Sequence, residues 1–441
     1  MRVLLIDEYD NFANEIMMSD EGTYRRLVHA DGPFKRLMKQ VKTATEGQGI
    51  ERLFLTGVTP VVLSNLTSGL NIAKNVSLAS DLNALCGFTE EEIRGLLERL
   101  ADERSAQAGG DFSVDEALEM MRTWYNGYRF APASGQQVYN PTLALYFIDH
   151  LQREGTYPRQ MLDTNLAADE NKLRFLARET DGHDLLAEIV QTGQSLEVEH
   201  LADRFTLSEM LARARRERLA IASFLFYFGM LTIEEQTARR RLRLAPPNLV
   251  VRKLYIDELL RLLLEGGPRH PDLGKPAREL TDRGDIKPLL QLIEGDLLPR
   301  FSRRDARWMN ELAVKTAFMA LLFQDVNYTL HSERRAGGGY ADLVLLRRPD
   351  ARATGLWDLL FEFKYVRLDA LGADAERLEL LSREELAALP AVAAALDEAA
   401  AQVERYREGL VRRFGDVLQL RGFAVVTLGF ARLVAREVTD E

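Results

Sequence analysis

The sequence predicts an α/β protein in three parts: an incomplete parallel sheet, a helical middle region and a second α/β domain at the C-terminal side. Three observations carry this. Apolar runs at Val3 to Ile6 and Leu53 to Val58 flank helical material around Tyr24 to Thr43, and alternation of buried strand and helix is the pattern of a parallel sheet. From Thr89 onward, capped helical stretches dominate to about Arg218. After residue 300 the order becomes helix, three strands, helix, strand.

The first two apolar runs read as buried strands, because neither alternates with polar residues. Thr89 with Glu92, and Ser113 with Glu116, each have the spacing of a capping box. The 219–260 segment combines an apolar helix, a short strand at Leu242 to Leu244 and another helix, and Gly266 to Pro276 is rich enough in helix breakers to be a linker. In the last part, a helix is expected from Asp305 to Phe323 and strands at Tyr328 to Ser332, Asp342 to Leu346 and Trp357 to Val366. A Gly337–Gly339 turn precedes the second strand, a helix is expected over Ala391 to Arg413, and a final strand over Phe423 to Leu428. The implied domains are 1–85, 86–275 and 285–441.

With 441 residues the chain is too long for one core. Its composition, 46% hydrophobic and 28% charged, is that of a globular protein rather than a membrane-spanning one. Met1 to Ile6 offers too few apolar residues before Asp7 for a secretory signal, and the single cysteine, Cys86, forms no internal disulfide. A cytoplasmic location with no membrane partner is the expectation. The net charge of −10 argues against electrostatic coating of nucleic acid. The charge is uneven, however: residues 300–441 carry 21 basic against 22 acidic side chains, whereas the remainder carries 36 against 45. The C-terminal part is therefore where a nucleic-acid contact is least opposed. The six histidines are scattered and give no zinc spacing.

Asp342, Glu362 and Lys364 form the chemically pointed set. Hydrolysis of a phosphodiester at neutral pH calls for a divalent cation, a positioned water and charge to neutralise the phosphate. Magnesium takes oxygen ligands, only one or two of them from protein carboxylates. Asp342 opens the apolar run Leu343 to Leu346, while Glu362 and Lys364, two apart, share one face of the next strand, with Phe361, Phe363 and Tyr365 on the other. Glu-x-Lys by itself is common and usually marks a solvated face. In so apolar a strand, a charged pair is costly unless it is used. Arg239 to Arg241 with Arg243 read as a solvated turn between strands, and Trp124, Tyr125, Tyr128 and Phe130 as core or a domain joint.

Several segments together carry a family resemblance. Asn310-Glu311, His331 to Arg335, Gly339 to Leu345, Phe361-Glu362-Phe363-Lys364 and Gln402 with Tyr406 resemble the PD-(D/E)XK nuclease domain that follows an AAA-ATPase-like domain in a bacterial and archaeal protein family. Gly69 to Asn71, Cys86 to Glu92, Trp124 to Phe130, Tyr139 to Pro141 and Pro247 to Arg252 are similar to collinear segments of the same family. The resemblance implies a P-loop-type first domain and a restriction-endonuclease-like last one. It implies that Asp342 and Glu362 hold Mg2+ or Mn2+, that Lys364 serves the attacking water, that Glu311 is an auxiliary carboxylate, and that Gln402 and Tyr406 complete the site. Nucleic acid, most simply DNA, is the implied partner, and kinship with ATPases is compatible with a homo-oligomer. Tyr340 departs from the pattern, standing where members often have Arg.

At the other end, Val3 to Glu8 has the form of a Walker B strand, with Asp7 and Glu8 at its tip and Thr56 as the sensor position on the next strand. No Gly-x-x-x-x-Gly-Lys-Ser/Thr loop occurs in the sequence. The expectation is either a start lying farther upstream or loss of ATP turnover, so ATP is not an expected cofactor of this chain. Two function classes follow: a metal-dependent DNA nuclease, or a catalytically inactive module that binds nucleic acid or protein.

Overall fold

Strands β1 (Val3–Ile6) and β2 (Arg52–Leu55) pair in parallel, Val3 opposite Arg52 and Ile6 opposite Leu55. The computed structural model from which this is read describes residues 2–11, 32–47, 49–58, 73–106, 112–162, 173, 188–189, 195–202, 217–264, 274–299, 311–323, 326–331, 334–336, 339–372 and 374–439. Helix α1 (Pro33–Thr45) joins the two strands, with Pro33 at a first-turn position where no amide partner is needed. The part of the expected helix before residue 32 lies outside the described residues, as does the 69–71 motif. Both strands were expected to be buried, and they are not. Leu4, Ile6, Leu53 and Leu55 pack against the core, whereas Val3, Leu5 and Phe54 are exposed. A two-stranded sheet has two faces, and α1 with its neighbours covers only one. The second strand also stops at Leu55, short of the expected Val58, because the Val58 amide turns to the Asp10 carboxylate at 3.0 Å.

Helix α2 (Glu90–Ala106) starts on the expected capping box: the Thr89 hydroxyl accepts from the Glu92 amide at 3.3 Å and the Glu92 carboxylate accepts from the Thr89 amide at 2.8 Å. At α3 (Val114–Tyr125) Ser113 caps the Glu116 amide, but the Glu116 carboxylate is turned to Arg352 at 2.7 Å. A tertiary ion pair has replaced the second half of the expected box. Helix α4 (Pro141–Glu154) is capped by Asn140 and closes on Gly155 at φ 72°. Beyond it, the expected short strand, β5 (Leu242–Ala245), is the centre of a three-stranded antiparallel sheet with β3 (Leu196–Val198) and β4 (Thr232–Gln236), which the sequence reading missed. Three residues are too few to show a period, and Glu234-Glu235-Gln236 is polar throughout.

Helices α5 (Arg218–Tyr227) and α6 (Leu249–Leu264) follow the expected pattern. Residues 266–273 of the expected linker lie outside the described residues, and its last three residues instead open helix α7 (Gly274–Arg283), followed by α8 (Lys287–Leu292). Pro276 falls in the first turn, where proline costs a helix nothing.

The C-terminal sheet has five strands in the order β12-β11-β10-β9-β6. Helix α9 (Glu311–Leu322) precedes β6 (Tyr328–His331), β9 (Leu343–Arg347) and β10 (Asp358–Val366), which run antiparallel to their neighbours in turn. Helix α10 (Pro390–Phe414) then crosses to β11 (Leu420–Leu428), parallel to β10, and β12 (Arg432–Val438) closes the edge. Two features differ from expectation. A hairpin-paired strand couple, β7 (Arg334–Ala336) with β8 (Gly339–Ala341), takes in Gly339 of the expected turn while residues 337–338 lie outside the described residues, and β12 was not anticipated because Arg436-Glu437 interrupts its apolar run. The expected helix residues before Glu311 lie outside the described residues.

Side-chain alternation in β10 gives the sheet two unlike faces. Leu359, Phe361 and Phe363 pack toward α9, where Phe318 meets both phenyl rings edge-on at 5.4 and 5.0 Å. Leu360 and Val366 pack toward α10 with Val403 and Leu410. The first of these cores continues into the middle region: Trp124 stacks on Phe323 at 5.7 Å, and the buried Arg348 guanidinium donates to the carbonyls of Pro158 and Arg159. The aromatic cluster is thus a joint, as read. Arg241 and Arg243 are matched to Glu197, Glu199 and Glu235 beside a turn.

One buried ion pair anchors the sheet. Arg347 and Asp358 have side chains 1% and 4% exposed and meet at 3.0 Å. Asp358 also accepts from the Arg347 and Gln419 amides, and Arg347 reaches the Val417 carbonyl at 2.7 Å. Every charge here is satisfied, so removing one partner strands the other. Asp358→Ala is expected to cost about 3–5 kcal/mol, read as a drop in urea-unfolding free energy against wild type.

Candidate metal and phosphate site

The carboxylates chosen from the sequence converge where β9 leaves β10. The ladder runs Leu359 to Leu345, Leu360 to Val344 and Phe361 to Leu343, so continuing the register brings Asp342 opposite Glu362. Asp342 has already turned out of the strand. Its Oδ2 accepts the Phe363 amide at 2.9 Å, taking the place of the next ladder carbonyl, and its own amide lies 3.4 Å from Glu362 Oε2. Glu362 is only 5% exposed, inside a strand whose neighbours are leucine and phenylalanine. A carboxylate so placed must be compensated by partners or a cation.

Lys364 lies on the same face as Glu362, and its amine sits 2.9 Å from Glu398 Oε1 on α10. Glu398, Gln402 and Tyr406 follow one another at helical spacing, so α10 lays a polar stripe along the edge of the apolar face that Val403 and Leu410 make. Gln402 Oε1 is buried and has no hydrogen-bond partner. Tyr406 is buried, and burial raises its hydroxyl pKa; the nearby Glu362 and Asp342 raise it further, while Arg405 and Lys364 pull it down. That mutual influence joins Tyr406 to the same group. Asp342, Glu362, Lys364 and Tyr406 are therefore brought together, and Gln402 lies between Glu398 and Tyr406 along the same helix face. Glu311 begins α9, and its side chain lies outside the described residues, as does that of Tyr340.

Two members of this group were not anticipated. Lys315 is buried and places its amine 3.4 Å from Asp342 Oδ1. Glu398 carried no signal at all, because a glutamate on a helix is unremarkable until the strand beneath it is known.

The donor set suits a hard cation. Among the described residues no cluster of three or more His, Cys, Asp or Glu forms. Two carboxylates nonetheless match the sparse protein ligation that magnesium accepts, phosphate and water completing the sphere. The buried Gln402 Oε1 is the observation that favours such a guest, since a buried acceptor left unmatched is otherwise a net cost.

The N-terminal group also assembles. Parallel pairing brings Asp7 and Thr56 to the same ends of β1 and β2, and the Thr56 hydroxyl donates to Asp7 Oδ1. Glu8 takes a left-handed φ of 50°, its amide donating to the same oxygen at 3.0 Å. Asp10, not singled out before, is fully buried and holds the loop after β2; a Cβ on Gly57 would stand 2.4 Å from its Oδ1. No described helix is long and apolar enough to cross a membrane.

Comparison with known proteins bears on the N-terminal group first. Residues 2–67 match the family model described as a predicted AAA-ATPase. Over 398 residues the chain is 25% identical to a protein of Azotobacter chroococcum mcd 1 described as an uncharacterized protein in the vnfD 5' region. The match covers 86% of this chain, which spans 64% of the length of that relative. No solved structure matches. The N-terminal segment is thus similar to predicted AAA-ATPases, and the likeness to the Azotobacter protein extends well beyond that segment.

Proposed function

We propose that the chain is a Mg2+- or Mn2+-dependent nuclease that hydrolyses phosphodiester bonds of DNA through its C-terminal sheet, joined to an AAA-ATPase-like segment. The observation that carries this reading is the burial of Glu362 beside Asp342, with Lys364 on the same face of a central strand. The restriction-endonuclease-like reading is supported by the order of elements: one helix, an antiparallel run of strands, then a helix crossing to the parallel strand β11.

Asp342 and Glu362 would hold the cation, and the Gln402 amide oxygen would complete the protein's share. When bound, such a cation supplies positive charge against the phosphate and acidifies a water. The remaining tasks belong to the chain itself. Lys364 presents an amine that orients the water or meets a phosphate oxygen. Its partner Glu398 is 63% exposed, so that pair is screened and readily exchanged for phosphate. Tyr406, its pKa raised by burial, keeps a hydroxyl that can donate a hydrogen bond. The Phe363 amide fixes the Asp342 carboxylate, so its orientation is set before any ligand arrives.

Plasmid nicking in Mg2+ or Mn2+ tests the reading. Wild-type protein is expected to nick, with Glu362→Ala and Lys364→Ala each reduced by at least about 100-fold, the usual scale for removing a positioned acid–base or charge-stabilising group. Identical traces from all three would instead favour a binding module. Gln402→Leu offers a second check. It removes a buried unsatisfied acceptor, so the metal-free protein is expected to gain up to about 1–2 kcal/mol of stability while losing nicking. A loss of stability without loss of nicking would sink the role given to Gln402.

A further inference from the structure

Lysine is among the side chains least often buried, yet Lys315 is 4% exposed. It lies on α9, one turn before Phe318, the ring that packs under Phe361 and Phe363. Its helix therefore belongs to the sheet face opposite α10, and the amine reaches the candidate site around the end of β9. There it lies 3.4 Å from Asp342 Oδ1, while Asp342 Oδ2 is held by the Phe363 amide. One oxygen of Asp342 is thus committed to the sheet, and the other faces a fixed positive charge. Glu362 Oε2 lies against the backbone amide of the same aspartate. Two acidic side chains this close repel unless a cation stands by, and the chain supplies one from its own core.

We propose that Lys315 is a built-in counter-cation of the Asp342 and Glu362 pair: it keeps the carboxylates together when no divalent ion is bound, and it holds the site's affinity for such ions low. The inference rests on the metal-site reading above. A metal held at Asp342 sits beside a permanent amine, so binding alone is weak, and an anionic phosphate is what brings the cation to full occupancy. Lys315 is a positioning residue in this account and need not touch the substrate.

The test is Mn2+ binding to the full chain without nucleic acid, following free Mn2+ by electron paramagnetic resonance. Wild type is compared with Lys315→Met, Lys315→Gln and Asp342→Asn. Removing the amine is expected to tighten Mn2+ binding about tenfold, the scale of repulsion between neighbouring charges in a partly screened site. In chelator, Lys315→Met is expected to melt at a lower temperature than wild type, and Mn2+ to raise that temperature more than it does for wild type. Should Lys315→Met fail to fold, Lys315→Gln, which keeps a hydrogen-bond donor without the charge, decides the matter. Unchanged or weaker binding in the folded Lys315 variants, with binding lost in Asp342→Asn, overturns this inference and leaves the metal site standing. Absence of Mn2+ binding in every protein, or binding indifferent to Asp342→Asn, overturns both.

Discussion

Everything in the C-terminal half depends on period-two alternation along one nine-residue strand. β10 is hydrogen-bonded on both edges, to β9 and to β11, so its side chains can leave only above and below the sheet. Phenyl rings on one side bind α9, and leucine and valine on the other bind α10. Glu362 and Lys364 lie on the α10 side of an otherwise apolar strand. Burial of that kind is tolerated only where the surroundings supply opposite charge and hydrogen bonds. Asp342, Lys315, Gln402, Tyr406 and Glu398 are those surroundings.

The site is consequently built from both sides of the sheet. α10 contributes Glu398, Gln402 and Tyr406 from above, and α9 contributes Lys315 around the end of β9. The turn at Asp342 makes this meeting possible: the strand ends one residue early, and a side-chain carboxylate replaces a ladder carbonyl. At the opposite end of the same two strands, Arg347 and Asp358 close the sheet with a fully satisfied buried pair. One end of the β9–β10 ladder is thus saturated, while the other retains an unmatched buried oxygen at Gln402.

The middle region is bound to this sheet by specific contacts. Trp124 stacks on Phe323, Arg348 donates to the carbonyls of Pro158 and Arg159, and Arg352 pairs with Glu116. The Trp357 amide donates to the Thr281 carbonyl, so α7 also belongs to the packing around β10. Helices placed between the N-terminal and the five-stranded C-terminal sheets in sequence therefore pack as a support for the C-terminal sheet.

Local chemistry determined a good part of this protein from the sequence alone. The run of β10, the long helix α10 and the cap at Thr89 follow from side-chain period and capping geometry, which act over a few residues. Sharing of one face by Glu362 and Lys364 was legible for the same reason. Tertiary structure alone decided the rest. β3 and β12 are strands because a neighbour pairs with them, Glu116 turns from its own helix to Arg352, and Val3 and Leu5 stay exposed because only one face of β1 is packed. Lys315 and Glu398 joined the site for that reason too: an ion pair between residues distant in the chain exists only once packing has brought their elements together.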